Sequence, residues 1–349
     1  MPEPPRLAIL ASMSSRAQRW VRTRMWPTRR LFEGRHGEHS RALTDLGDRV
    51  SALQTELAAI GARQEQMFVQ QAELVTRLRR TQALTARTYE TQQGWEALLA
   101  AARGGAGYEA AYEDPEPLIS IPIPTFDSPK TLCSRALASV QAQTHTRWEA
   151  IVVGDHCTDD TEERVLALGD SRIRFINLPV RENDPADPWE RWAVRGSVPR
   201  ATGIELAAGS WIAPLSHDDA WDPDHLSALL EAARADRAEV VYSKMRIVLA
   251  GDSGSPPIGS CGAWPPALGG VAWQSAMFHG GLRFLRYDRT CALASEPNDW
   301  NLARRAWDAG VRFRFLDRET STLHRYPRGE AIEEEYAARG LPASAAAYP

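Results

Sequence analysis

The chain has 349 residues, 43% of them hydrophobic and 25% charged, which describes a folded protein with one sizeable core and an appendage, not a disordered or fibrous chain. A formal net charge of -4 gives no footing for a nucleic-acid partner. The cysteines Cys133, Cys157, Cys261 and Cys291 are scattered without a C-x-x-C pair, which points away from a zinc site or a disulfide framework and toward a reducing, cytoplasmic setting.

Taken from its start, the chain opens on a basic segment, residues 1–39. Arg6, Arg16, Arg19, Arg22, Arg24, Arg29, Arg30 and Arg35 stand there against Glu3 and Glu33, with Trp20 and Trp26 among them. This composition suits either peripheral contact with an anionic membrane at its inner face or a solvated basic tail. No apolar run approaches the roughly eighteen residues of a spanning helix.

Over residues 40–103 the apolar positions step by three and four: Leu43, Leu46, Val50, Leu53, Leu57, Ile60, Met67, Leu74 and Leu78, with Gln64, Gln71 and Thr81 on the same seam. That 3.5-residue period predicts a coiled coil and a homo-oligomer, in preference to a helix packed on its own domain. Gly104, Gly105 and Gly107 end the helical pattern, and residues 104–117, with two prolines and four acids, read as a linker.

Residues 118–330 read as a compact domain, and 331–349 as a tail. Leu118 to Pro124 is a strand apolar enough to be buried on both faces, ended by its prolines. A helical face (Leu132, Ala136, Leu137, Val140) and a second strand, Trp148–Val153, complete a strand–helix–strand unit. Ile173–Leu178 is a third strand, and a helix from Arg200 to Ala208 precedes a fourth, Trp211–Leu215. This fourth strand runs out into Asp218 and Asp219 before a helix carrying Leu226, Leu229 and Leu230. Adjacent carboxylates at a strand's carboxyl end sit where open α/β sheets bind ligands, and they suit a hard divalent cation. The fold class is therefore α/β, with a mostly parallel central sheet, helices on both faces, and a long helical coiled coil in front.

Six blocks carry a resemblance: Ile121-Pro-Ile-Pro-Thr-Phe-Asp127, Ala136 to Thr144, Trp148 to Asp155, Thr158-Asp-Asp-Thr161, Arg200-Ala-Thr-Gly-Ile204 and Leu215-Ser-His-Asp-Asp-Ala-Trp221. In order and spacing they resemble family 2 glycosyltransferases, which have the A-type nucleotide-diphospho-sugar transferase fold. The resemblance extends over Leu118 to about Met245 and again over Trp273 to Tyr326. It implies an inverting transfer of a sugar from a nucleotide-diphosphate donor to a hydroxyl of a glycan, lipid-linked or protein acceptor.

Residue by residue, the resemblance places Pro124 and Phe126 at the nucleoside, with Phe126 stacking on the base. Asp155 would read the base's N–H edge, although Gly154 stands where the family has another acid. Arg200 would contact the diphosphate or ribose. Asp219 would ligate Mn²⁺ or Mg²⁺, Asp218 would touch the ribose or the metal shell, and His324 would join the metal or diphosphate. Asp299, in Glu296-Pro-Asn-Asp-Trp, matches the catalytic base. Asn298 stands in the place of the usual first acid, with Glu296 near enough to substitute. Asp159 and Asp160 read as a capped helix start. Trp189 and Trp192 would stack on a sugar or cover the domain's edge, and Gly251 to Gly270 reads as a flexible flap. Two rivals remain: a sugar-1-phosphate nucleotidyltransferase, which lacks its Gly-rich, Lys-ended phosphate loop here, and a non-catalytic coiled-coil scaffold bearing a degenerate transferase domain.

Overall fold

The computed structural model describes residues 26–249, 256–294 and 296–325, with Ser15, Arg16 and Arg19. Most of the basic segment and all of the 331–349 tail lie outside the described residues. The chain divides into two compact units, Met1–Leu78 and Arg79–Pro349. No described helix is long and apolar enough to cross a membrane.

The described part of the first unit is helical throughout. Helix α1 runs from Trp26 to Arg103, 78 residues, and starts well before the expected residue 40. Its apolar seam from Leu43 to Leu78 faces solvent, with side chains 47 to 74% exposed. An isolated helix of this kind gains little from propensity alone and would be stabilised by covering that stripe.

From Arg79 onward the same helix belongs to the second unit, which corrects the expectation of a coiled coil reaching residue 103. Trp95 and Leu99 are buried in a core shared with Ile151, Val153, Ile204 and Tyr242. The linker expectation also fails. Residues Ala106–Glu113 form helix α2, whose Tyr108, Ala111 and Tyr112 are buried. The glycines break the helix for one turn, but the two tyrosines supply enough buried surface to fold the segment onto the sheet.

The second unit is built on one sheet. Its strands are β1 (Ile119–Thr125), β2 (Trp148–Gly154), β3 (Ile173–Asn177), β4 (Trp211–Ile212), β5 (Ala220–Trp221), β6 (Val240–Leu249), β7 (Gly259–Cys261), β8 (Ala276–His279) and β9 (Phe313–Arg325). They lie in the order β3-β2-β1-β4-β8-β6-β9-β5, with β7 on β6. β3, β2, β1 and β4 are mutually parallel, and so are β6 and β9. β4–β8, β6–β8, β6–β7 and β5–β9 are antiparallel. The sheet is therefore mixed, and the parallel character belongs chiefly to its amino-terminal half. Part of the expected flap is strand β7; residues 250–255 lie outside the described residues.

Helices cover both faces, as the burial of β1 and β2 on both sides requires. Ile119, Ile121, Ile123, Ala150 and Val152 pack under α2, a helical stretch over residues 129–141 (α3) and the later helix His225–Asp236. Ile151, Val153, Ile212 and Tyr242 pack under the end of α1, helix Ser197–Glu205 and helix Asn298–Asp308. In chain order, the helices after α3 are α4 (Thr161–Leu166), α5 (Pro188–Ala193), α6 (Ser197–Glu205), α7 (His225–Asp236) and α8 (Asn298–Asp308).

Two local features open a cleft at the carboxyl ends of the parallel strands. Pro122 and Pro124 do not end β1; they lie inside it, buried. Ser120 and Pro122 accept from Ala213 and Leu215, so that side of β1 faces β4, and the prolines have no N–H to return. The β1–β4 ladder accordingly stops after two residues, and the chain beyond Ile212 is free to diverge toward Ser216–Asp219. On the other side, α6 packs close on β1: a Cβ at Gly203 would lie 2.8 Å from Pro122 Cβ.

Candidate active site

The loops leaving β1, β2 and β4 meet the first turns of α6 and α8 above the parallel strands. Asp155 N–H donates to Thr125 O at 2.8 Å, which fixes the ends of β1 and β2 side by side. His217 hydrogen-bonds the Pro124 backbone, drawing the loop after β4 to the same place. Asp127 and His156 adopt positive φ, 39° and 61°, the sparsely populated region that recurs at functional turns.

Arg200, near the start of α6, is the hub. Its Nη1 donates to Asp299 Oδ1 at 2.8 Å and its Nη2 to Ser216 Oγ at 3.4 Å. Burial alone would lower its basicity, but the charge of Asp299, with those of Asp218 and Asp219, more than offsets this and raises it. Asp299 lies in the first turn of α8, where the helix dipole favours a carboxylate, and Trp273 Nε1 clamps its carbonyl at 2.8 Å. Burial, reinforced by Asp299, also pushes the Tyr287 hydroxyl far up, so it stays protonated.

Asp219 is 1% exposed. Its Oδ1 accepts from the His324 backbone N–H at 2.9 Å. Burial and then the charge of Asp218 push its carboxyl well above the ordinary range. Arg135, unremarked in the sequence, donates to the Asp218 carbonyl at 2.9 Å. Burial lowers the basicity of both His217 and His324, and His324 Nδ1 is buried without a hydrogen-bond partner. Asp218, Asp219 and His324 thus share one corner of the cleft, but their ligand atoms are not among the described groups that lie within 4.8 Å of one another.

One group among the described residues does bring ligand atoms close enough to hold a cation. Ligand atoms of Asp127, Cys157 and Asp159 lie within 4.8 Å of one another. Each carboxylate already has partners: Asp127 Oδ1 accepts from Thr158 N–H, and Asp159 Oδ1 accepts from Thr161 N–H and Oγ1. Asp160 pairs with Arg164 at 2.7 Å. These contacts close the loop and start α4.

At the other end of the cleft, Phe126 is 39% exposed and the Arg181 guanidinium lies over its ring, 4.0 Å from the centroid. Arg181 Nε is 3.4 Å from Asp155 Oδ2. Burial raises the Asp155 carboxyl, with Arg181 opposing. Where another acid was expected stands Gly154; a Cβ there would lie 2.6 Å from Asn177 Oδ1 and 3.0 Å from Phe175 Cζ, so a side chain would have to displace them.

Two residues take structural partners. Glu296 accepts from Arg304 Nε and Nη2 at 2.8 and 2.9 Å and from Asn301 Nδ2 at 2.6 Å, so it braces α8. Asn298 Nδ2 donates to Arg195 O and Ser197 Oγ, tying α8 to the start of α6 and so setting the Arg200–Asp299 spacing. Trp189 is 7% exposed and packs 5.1 Å from Trp192, which removes it as an open stacking face.

Comparison with known proteins bears on this arrangement. Residues 120–187 and 192–262 match the model of Glycosyl transferase family 2. The chain is 28% identical over 131 residues to the Escherichia coli UDP-Glc:alpha-D-GlcNAc-diphosphoundecaprenol beta-1,3-glucosyltransferase WfgD, covering 38% of this chain and 47% of that one. It is 35% identical over 116 residues to the putative colanic acid biosynthesis glycosyl transferase WcaA of Escherichia coli (strain K12), covering 33% and 37%. It is 32% identical over 135 residues to the succinoglycan biosynthesis protein ExoO of Rhizobium meliloti (strain 1021), covering 39% and 35%. The chain spans less than half the length of these curated relatives. The solved S. aureus TarS 1-349 in complex with UDP-GlcNAc aligns over 63% of each chain at 17% identity, with a TM-score of 0.47. The match spans the residues that carry Phe126, Asp155, Arg200, Asp218 and Asp219 and leaves out Asp299 and His324.

Proposed function

We propose that this protein is an inverting glycosyltransferase that moves a sugar from a nucleotide-diphosphate donor to a hydroxyl of a surface-polysaccharide or lipid-linked acceptor. The observation that carries this reading is the Arg200–Asp299 pair set beside Asp218 and Asp219 at the carboxyl end of the parallel strands. The names of the matched relatives, which concern polysaccharide and diphosphoundecaprenol-linked glycans, favour that acceptor class.

In this reading Asp299 takes the proton of the acceptor hydroxyl as its oxygen attacks the anomeric carbon opposite the diphosphate. The new glycosidic bond forms as the bond to the diphosphate breaks, and the nucleoside diphosphate leaves. Arg200 holds the Asp299 carboxylate in place in the donor-free protein and turns its remaining donors to the diphosphate when the donor enters. Asp219 and Asp218, with His324, would hold Mn²⁺ or Mg²⁺, which when bound offsets the charge on the departing diphosphate. Phe126 and Asp155 would take the nucleoside.

The exposed seam from Leu43 to Leu78 supports a second part of the proposal, self-association of the chain through α1 as a coiled coil.

Turnover of a panel of UDP-, GDP- and dTDP-sugars tests the chemistry. Asp299→Asn should lower turnover by about 10²-fold or more while nucleotide binding persists. Unchanged turnover in the variant would remove Asp299 as the base. Release of inorganic diphosphate from a nucleoside triphosphate would favour the nucleotidyltransferase, and binding without turnover in the wild type would favour the scaffold.

A further inference from the structure

Arg181 lies over the part of the cleft that the proposed function assigns to a nucleobase. A base in that place would use two groups: the face of Phe126 for stacking and the carboxylate of Asp155 for its N–H edge. Both are engaged by one side chain, with the guanidinium 4.0 Å above the Phe126 ring and Nε 3.4 Å from Asp155 Oδ2. A guanidinium is planar, stacks on aromatic faces and presents N–H donors along its edge. It thus reproduces the two contacts a nucleobase would make.

The segment around Arg181 is braced to hold it there. Asp184 pairs with its Nη2 at 3.2 Å. Arg289, from the turn before α8, donates to Glu182 Oε2 at 2.5 Å and to Asn183 O at 2.7 Å. The arginine itself is 31% exposed and Asp155 15%, so Arg181 can swing toward solvent without disturbing the core, leaving Phe126 and Asp155 available.

We infer that Arg181 is an internal stand-in for the nucleobase, occupying the base platform in the donor-free protein and competing with the incoming nucleotide. This inference rests on the nucleoside reading of Phe126 and Asp155. A site that is free for only part of the time binds its ligand with an affinity reduced by that fraction. Arg181 therefore sets the affinity a donor must reach, and bases that stack strongly and offer N–H donors to Asp155 pass more readily than those that do not.

Calorimetric titration of the full chain with UDP, GDP and inorganic diphosphate tests this. Arg181→Ala should tighten the nucleoside diphosphates by about three- to tenfold, the scale of one exposed stacking contact plus one ion pair, and leave inorganic diphosphate unchanged. Arg181→Lys, which keeps the charge without the planar face, should fall between. Nucleotide affinity that drops or stays constant in Arg181→Ala overturns the inference, as does equal tightening of inorganic diphosphate. Phe126→Ala separates the underlying reading: if it leaves nucleotide binding untouched, or no nucleotide binds any of the proteins, the nucleoside site and the stand-in fail together. Binding that is lost in Phe126→Ala but unmoved in Arg181→Ala overturns the stand-in alone.

Discussion

His225 shows how burial of one titratable group ties stability to pH. Its ring is fully buried against Trp221, with Nδ1 2.7 Å from Thr320 Oγ1, and burial pushes it down to about 3 from 6.5. Between those values the unfolded chain binds a proton that the folded one does not, so stability falls as pH drops through 6.5 toward 3. From pH 7.5 to pH 5 this one residue should cost roughly 2 kcal/mol. Denaturant unfolding at the two pH values should show a smaller drop for His225→Gln than for the wild type; equal drops would contradict the assignment. The same scale marks where sequence reading stopped. That Asp155, Asp218, Asp219 and Asp299 lie beyond strands or at a helix start was legible from the order of the elements; their roles belong to the proposal. Arg135, Arg181, Ser216 and Tyr287 were not, because their roles depend on contacts across long sequence separations, such as Arg135 with Asp218. Nor could spacing reveal that Glu296 would be taken by Arg304, or that a side chain at Gly154 would crowd Asn177.

Among the elements, the end of α1 is the one whose role the sequence misstated. The helix runs on unbroken past Leu78, yet its last turns are fastened to the sheet by a buried acid. Glu239, with no side-chain exposure, accepts from Arg103 Nε and Nη2 at 2.7 and 2.8 Å and from Tyr108 Oη and the Arg312 N–H. Burial would raise its carboxyl, but Arg103 and Tyr108 reverse the effect and hold it below the ordinary range. Arg103→Ala leaves that charge short of its main partner and should cost roughly 2–4 kcal/mol, less than for a fully buried pair because Arg103 is partly exposed. Unfolding of the variant with stability intact would show that the network is dispensable. The β1 prolines carry a similar lesson. Pattern reading ends a strand at proline, whereas here the missing donors fall on the side where β4 leaves, so the strand continues and the cleft opens beside it.

For the whole molecule, the α/β core with its leading parallel strands was readable from apolar runs alternating with helical faces. The antiparallel half was not, since β8 and β5 are four and two residues long and are defined by their partners. The seam of α1 remains the clearest feature with no cover. If it assembles copies of the chain, sedimentation should give a multiple of 38.7 kDa, and Leu53→Asp with Leu57→Asp should return the mass of one chain; a wild-type monomer would rule the assembly out. The central claim is that acidic groups from β2, the loop after β4 and α8 serve one nucleotide-sugar cleft. Calorimetry of UDP and GDP with and without Mn²⁺ tests it most directly. The account predicts that at least one nucleoside diphosphate binds, that Mn²⁺ strengthens it, and that Asp219→Asn removes the metal dependence. Failure of both nucleotides to bind with the metal present, or binding indifferent to both Mn²⁺ and Asp219, would contradict it.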